Sequence, residues 1–284
     1  MTQQTQPEHQ LSTGARPTGA TDEHTAAENV REMFDAIAPT YDRANHILTF
    51  GLDRWLWNRT ARAFRKTLQH PEAVILDLCC GTGDMTMALD KYRPQPQNRV
   101  PHLRDGLIVA KVGEAPQNSG PTASQIAPTL AADFSRPMLA LAEKKFAGHN
   151  IVAIEADALH LPLTDNSIDL ITIAYGFRNL ASYEDGLAEL HRVLRPGGQI
   201  GILECNRPEG ITGAAYNLYF KKILPRIGGL ISGDRAAYAY LPASVERFPR
   251  PTRMLQLIGA AGFAQASWTS YTLGAAGLYR ATKP

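Results

Sequence analysis

An apolar run that begins at Val74, stops at Gly81 and Gly83 and hands over to a helical pattern from Asp84 constrains this chain more than any other stretch. Val-Ile-Leu-Asp-Leu-Cys-Cys-Gly-Thr-Gly-Asp reads as a strand, a tight turn and a helix start. The two glycines open backbone angles closed to other residues and let a ligand approach the main chain, while the helix start offers unpaired N–H groups. The stretch is therefore a cofactor cradle formed by Asp77, Gly81, Thr82 and Gly83. A P-loop would continue with Gly-Lys-Ser/Thr, and a dinucleotide fingerprint would carry a third glycine where Thr86 stands; neither is present.

The chain has 284 residues, enough for one large α/β domain or two small ones. A net charge of +2 and the lack of dense Lys/Arg stripes argue against a nucleic-acid partner. Cys79, Cys80 and Cys205 form no disulfide framework and lack metal-ligand spacing, so no metal is expected. There is no run of about 18 apolar residues and no apolar signal core, which points to a cytoplasmic protein.

Residues 1–26 are rich in Gln, Thr, Gly and Pro and read as a disordered tail, leaving 27–284 as a single domain. Val30, Met33, Phe34 and Ile37 then repeat at helical spacing up to Pro39. A second helical run follows Tyr41, and Asp53 can cap a third that carries Trp55, Leu56 and Phe64. This helical preface can cover a sheet or close over a substrate. After the glycine turn the helical pattern fails, and residues 93–128 read as a mobile insertion with one apolar run at 107–112. Strands are expected at 129–132, 151–156, 168–174 and 199–203, with Pro196-Gly197-Gly198 turning the chain before the last of these. Ser135 and Ser182 should cap the intervening helices, and strands at 263–269 and 275–282 should close the sheet.

Strands alternating with helices argue for a seven-stranded, mostly parallel sheet wrapped on both faces, with its ligand site at the carboxyl ends of the strands. The polar residues of interest fall there: Asp77 on the first strand, Asp133 on the second, Asp157 on the third and Tyr175 to Asn179 on the fourth. Asp133 suits a ribose with free hydroxyls, although the insertion separates it from the glycines by more than the usual spacing of about 20 residues. Asp157 with the backbone of Ala158 suits an adenine edge. Without a third glycine, the preferred ligand is an adenosine lacking a pyrophosphate, and S-adenosylmethionine fits that description.

The chain resembles the ubiquinone/menaquinone biosynthesis C-methyltransferases, a family of Rossmann-like class I S-adenosylmethionine-dependent enzymes. The resemblance rests on Tyr41-Asp42-Arg43-Ala44-Asn45 with Thr49, Asp53 and Trp55 to Trp57, and on Arg192-Val193-Leu194-Arg195-Pro196-Gly197-Gly198 followed by Glu204-Cys205-Asn206. Tyr175-Gly176-Phe177-Arg178-Asn179 and Tyr238 to Ser244 match two further family segments. Ala44, Thr49, Asp53 and Asn206 stand where the family carries Met, Ser, His and Ser. The resemblance implies that Thr82, Asp133 and Asp157-Ala158 contact the cofactor, and that a prenylated quinol ring is the methyl acceptor. Asp-x-Cys-Cys-Gly-Thr favours the menaquinone branch, that is, demethylmenaquinol, over the ubiquinone branch.

Methylating a ring carbon calls for deprotonating a ring hydroxyl, stabilising the oxyanion and later removing the ring proton. Arg178 is the expected partner of the oxyanion, with Asn179 positioning. Tyr41, Asp42, His46 and Tyr240 are candidate bases. The segment 214–230 interleaves apolar side chains with Lys221, Lys222 and Arg226, a pattern able to rest peripherally on the inner face of an anionic membrane. A nicotinamide-dependent oxidoreductase and a non-catalytic binding module are the rival classes. Oligomeric state leaves no signature in the sequence.

Overall fold

A computed structural model of the chain describes residues 14–49, 51–95, 126–208, 213 and 235–284. The expectations for the bulk of the tail, the run at 107–112 and the segment 214–230 fall outside the described residues.

Helix α1 (Glu23–Ile37) begins inside the stretch expected to stay outside the fold, because the Asp22 carboxylate accepts the Thr25 N–H and caps it. Ahead of it, the Ala15 N–H donates to the Leu180 carbonyl at 2.7 Å, so this part of the chain is tied to the domain. A 3₁₀ turn through Pro39 leads into α2 (Tyr41–Leu48). Gly51, in a left-handed conformation, rather than Asp53, occupies the cap position of α3 (Leu52–Ala63). Asp53 sits one residue inside that helix and is buried. A single turn, α4 (Arg65–Leu68), completes the preface.

The sheet consists of β1 (Ile75–Leu78), β2 (Thr129–Asp133), β3 (Ile151–Glu155), β4 (Ile168–Ala174), β5 (Leu194–Cys205), β6 (Ala264–Tyr271) and β7 (Ala276–Thr282). Their order is β3-β2-β1-β4-β5-β7-β6, with the first five parallel and β7 antiparallel between β5 and β6. All four residues of β1 are buried, as a central parallel strand covered on both faces requires, whereas β3 at the edge is half exposed. The connecting helices are α5 (Asp84–Asp90), α6 (Arg136–Phe146), α7 (Tyr183–Val193), α8 (Arg235–Arg247) and α9 (Pro251–Ala260). Ser135 and Ser182 cap α6 and α7 as expected, accepting the N–H groups of Met138 and Asp185.

One core cluster joins Leu187 and Leu190 of α7 and Met254 and Ile258 of α9 to Leu76, Ile171 and Ile200 of the sheet. A second joins Leu56 and Phe64 of the preface and Met85 and Leu89 of α5 to Ile75, Leu170 and Leu203. The preface thus divides its labour: α3 covers the sheet with one face, while α1 and α2 turn Phe34 and Tyr41 toward the strand ends.

Two local expectations change. Pro196-Gly197-Gly198 does not precede β5 but bulges within it, the register passing from Ile168↔Leu194 to Leu170↔Gln199. Gly198 is tied across the bulge by the Lys283 N–H at 2.9 Å. At the root of the insertion, Arg93 is buried and donates to the carbonyls of Leu68, His70, Pro71 and Ala127, pinning the two stems together.

β5 meets the preface so closely at Gly201 that an added Cβ would lie 2.4 Å from the Phe64 ring. Gly201→Ala should lower stability by about 1–3 kcal/mol in urea unfolding, as overpacking does. Adding Phe64→Leu should recover part of the loss; strict additivity of the two changes would contradict the contact.

Candidate functional site

Successive strands are added to one side of β1 up to β3 and to its other side from β4, and at such a switch point the connections part to leave a crevice at the strand ends. The residues that follow both strands, Cys79 (φ 54°) and Tyr175 (φ 60°), occupy left-handed backbone rarely adopted outside glycine. Gly176 allows this: a Cβ there would lie 2.3 Å from the Cys79 Cβ. Gly83 is held in left-handed backbone (φ 86°) and packs tightly, since an added Cβ would lie 2.5 Å from the Phe146 ring of α6.

Two adjoining cavities open from the crevice. The larger, about 740 Å³, is walled by Asp133, Phe134, Asp157 and Ala158 at the strand ends, by Phe34 and Tyr41 from the preface, and by Asn179 to Ala181. The smaller, about 480 Å³, is walled by Asp42, Asn45, Asp53, Trp57, Thr82 and Asp84. Tyr41, Cys79, Gly81, Ala174 and Tyr175 line both, so these residues form the partition.

In the larger chamber, Asp133 is only 6% exposed, and its carboxylate accepts the N–H groups of Gly81 at 2.8 Å and Ser135 at 2.9 Å. Burial pushes its pKa up to about 6 against the pull of those donors. With the Phe134 N–H as a third donor, the carboxylate, which has about four acceptor sites, still has capacity toward a ribose hydroxyl. Asp157 is half exposed and takes the Leu159 N–H at 2.9 Å. Asp77 reaches neither chamber: it accepts the hydroxyls of Thr86 at 2.6 Å and Thr172 at 2.7 Å inside the core.

Around the smaller chamber, the Thr82 hydroxyl donates to Asp42 at 2.5 Å, and Lys145 of α6 reaches both Asp42 and Asp84 at 2.8 Å. This cluster latches α2 onto the glycine turn and occupies the Asp42 carboxylate. Asp53 faces the chamber while His46 Nδ1 lies 3.3 Å from its Oδ1. The His46 ring itself is 47% exposed to solvent. Burial pushes the phenols of Tyr41, Tyr175 and Tyr240 above their ordinary value, so these groups keep their protons. The same cause raises the thiols of Cys79 and Cys80, leaving them inert.

Arg178 lines neither chamber. It is buried in an ion pair with Glu204 at 2.7 Å, reaches Ser244 Oγ at 3.3 Å and donates to the Tyr175 carbonyl. Asn179 lines the larger chamber, where its Oδ1 accepts the Tyr240 hydroxyl at 3.2 Å. Of the residues selected from sequence, Gly81, Thr82, Asp133, Asp157, Ala158, Asn179, Tyr41 and Asp42 come together on the two chambers. Sequence reasoning missed Phe134 and Lys145, quoted Glu204 and Asp53 only within family segments, and otherwise read Asp53 as a cap. An aromatic directly after a strand-end acid was the available signal for Phe134. Lys145 carried none, because its partners are remote in the chain.

A family model described as the ubiE/COQ5 methyltransferase family matches residues 21–283. A curated relative from Deinococcus radiodurans, named demethylmenaquinone methyltransferase, is 39% identical over 262 residues, covering 91% of this chain and 94% of the relative. One of the same name from Thermus thermophilus is 40% identical over 255 residues, covering 89% and 100%. A SAM-dependent methyltransferase from Aquifex aeolicus shares the fold with a TM-score of 0.51 at 15% identity, covering 79% of this chain and 89% of that one.

Burial raises Asp77 to about 6 from an ordinary 3.8, despite the hydroxyls that favour its charge. The unfolded chain therefore releases this proton at lower pH than the folded one, and stability should fall as pH rises from about 4 to about 6. Asp77→Asn should flatten that fall by roughly 2 kcal/mol across a pH series of urea midpoints. A variant with the wild-type pH slope would assign the dependence elsewhere.

Proposed function

Since the chain belongs to the ubiE/COQ5 methyltransferase family, we propose that its two chambers bring a methyl donor and a ring acceptor together: it transfers a methyl group from S-adenosylmethionine to a ring carbon of demethylmenaquinol, giving menaquinol. The observation that carries this reading is the shared partition, because a donor in one chamber and an acceptor in the other meet across Tyr41, Gly81 and Tyr175.

The residues present fit the donor. Asp133 keeps acceptor capacity for a ribose hydroxyl, Asp157 and Ala158 suit an adenine edge, and Phe134 and Met138 offer apolar surface to the base. Among the described residues no Lys or Arg lines either chamber, and Asp133 and Asp157 line the larger one, a field that suits a cationic donor and opposes a pyrophosphate. That argues against the nicotinamide reading. When bound, S-adenosylmethionine supplies an electrophilic methyl group on a sulfonium.

The chain's own groups handle orientation and protons. Trp57 offers an aromatic wall to the quinol ring in the smaller chamber. Among the candidate bases, Tyr41 and Tyr240 hold their protons and Asp42 is occupied by Lys145. His46, the remaining candidate, does not line the smaller chamber, whereas Asp53 does and lies 3.3 Å from His46 Nδ1, so Asp53 accepts the ring hydroxyl proton and His46 orients its carboxylate. The protonated hydroxyls of Tyr41 and Tyr175 are donors for the ring oxyanion. Methylation leaves one proton more in solution, and the half-exposed His46 gives that proton a way out from Asp53. Arg178 acts as a positioning residue, holding the Tyr175 carbonyl and, with Tyr240, the place of Asn179.

The direct test supplies methyl-labelled S-adenosylmethionine with demethylmenaquinol, its oxidised quinone and the ubiquinone precursor, and follows the label by mass spectrometry. Label should enter the menaquinone-branch quinol alone. Label in none of the three would remove the reading, and equal label in the oxidised quinone would remove the oxyanion mechanism. Asp53→Asn should lower kcat by about a hundredfold or more while calorimetry finds S-adenosylmethionine binding unchanged. A variant that keeps wild-type kcat would exclude Asp53 as the base.

A further inference from the structure

Of the large apolar side chains exposed among the described residues, Leu52 (47%), Trp55 (48%) and Leu273 (82%) lie on one side of the molecule. Leu52 and Trp55 are three residues apart on the outward stripe of α3, and Arg59 and Arg62 continue it at helical spacing. Trp55 meets Tyr271 edge to face at 6.0 Å, and the Arg59 guanidinium lies 5.2 Å from the Trp55 ring and 5.0 Å from the Tyr271 ring. Tyr271 ends β6, so the turn after it carries Leu273 beside this stack. Thr272 (φ 46°) and Leu273 (φ 56°) are both held in left-handed backbone, a strained conformation that projects Leu273 into solvent rather than into the core.

The charge around these tips is of one sign. Residues 51–70 contain Arg54, Arg59, Arg62, Arg65 and Lys66, all exposed, and a single acid, the buried Asp53. Among the described residues none of the five lies in an ion pair with a carboxylate. Exposed apolar tips within a field of unpaired cations are complementary to an anionic lipid surface, where the tips enter the hydrocarbon boundary and the guanidinium groups meet phosphates. Nucleic acid would use the cations but not Leu52 and Leu273. Among the described residues no helix is long and apolar enough to cross a membrane, so such contact is peripheral.

The position of this face gives it a purpose. The inner side of the same α3 supplies Asp53 and Trp57 to the smaller chamber, and the turn bearing Leu273 follows β6 at the end of the sheet where the parallel strands finish. We infer that the outer face of α3, with Leu273, docks on an anionic bilayer and presents the acceptor chamber to a quinol whose prenyl tail stays in the lipid. The proposal rests on the quinol reading for its purpose, but the docking itself is measured without turnover.

Flotation with vesicles of phosphatidylcholine alone and of equimolar phosphatidylcholine and phosphatidylglycerol tests it. The full chain should float only with the anionic vesicles, with a blue shift of tryptophan emission that Trp55→Phe removes. Arg62→Glu with Leu273→Asp should weaken this partitioning by about tenfold or more, given the contribution of each basic residue near such a surface. The same variant should methylate a short-tailed, water-soluble quinol at the wild-type rate and lose rate only with a vesicle-borne acceptor. Wild-type protein that stays unbound with anionic vesicles would overturn the proposal. So would a double variant that floats undiminished, or binding that is lost only in Lys221→Glu with Lys222→Glu. Tight binding to heparin or duplex DNA without vesicle binding would reassign the face to another polyanion. Absence of methylation with the soluble quinol would count against the quinol reading and leave the flotation result standing.

Discussion

A single buried carboxylate fixes where everything else can be. Asp77 lies in the central strand, holds a threonine of the neighbouring strand with one oxygen and a threonine in the first turn of α5 with the other. Strand, strand and helix are thereby referenced to one point immediately before the glycine turn, so the cradle cannot shift relative to the crevice it serves. The arrangement carries a cost, since burial disfavours the charge on Asp77, but neutral hydroxyls satisfy the group without importing a cation. A lysine or arginine in that role would have changed the field of the site.

That field explains how the halves of the site cooperate. Among the described residues, two cations close to the chambers are consumed: Lys145 between Asp42 and Asp84, Arg178 against Glu204. What remains toward the ligands is acidic, together with tyrosines that keep their protons. A positive methyl donor is welcomed, a phosphate is not, and hydroxyl donors stand ready for negative charge that develops during reaction. The Lys145 cluster also joins α2 to the glycine turn, so the wall of the smaller chamber and the glycine turn are mechanically one unit.

Much of this was legible from local pattern. Strand order along the chain, the caps at Ser135 and Ser182, the acids at strand ends and the unusual turn all depend on neighbours within a few residues, and periodicity reports those faithfully. What stayed illegible was which polar groups are already occupied. Asp77 and Thr172 are ninety-five residues apart, Asp42 and Lys145 one hundred and three, and Arg178 and Glu204 twenty-six, and no local rule distinguishes a carboxylate facing a cavity from one consumed by a remote partner. Asp53 shows the reverse error. It follows a glycine break and precedes a helix, which reads as a cap, but Gly51 takes the cap conformation and turns Asp53 inward to His46.

The contact of Ala15 with Leu180 reaches further than its single hydrogen bond suggests. Leu180 and Ala181 line the larger chamber, and the segment that touches them, from Gly14 to Arg16, precedes the span matched by the family model at residue 21. Gly14 is packed so tightly that an added Cβ would lie 2.0 Å from the Ala181 carbonyl oxygen. Part of the buttress behind the larger chamber therefore lies outside the span that the family model matches. An affinity handle spliced close to Gly14 would load the Leu180–Ala181 wall of that chamber from behind.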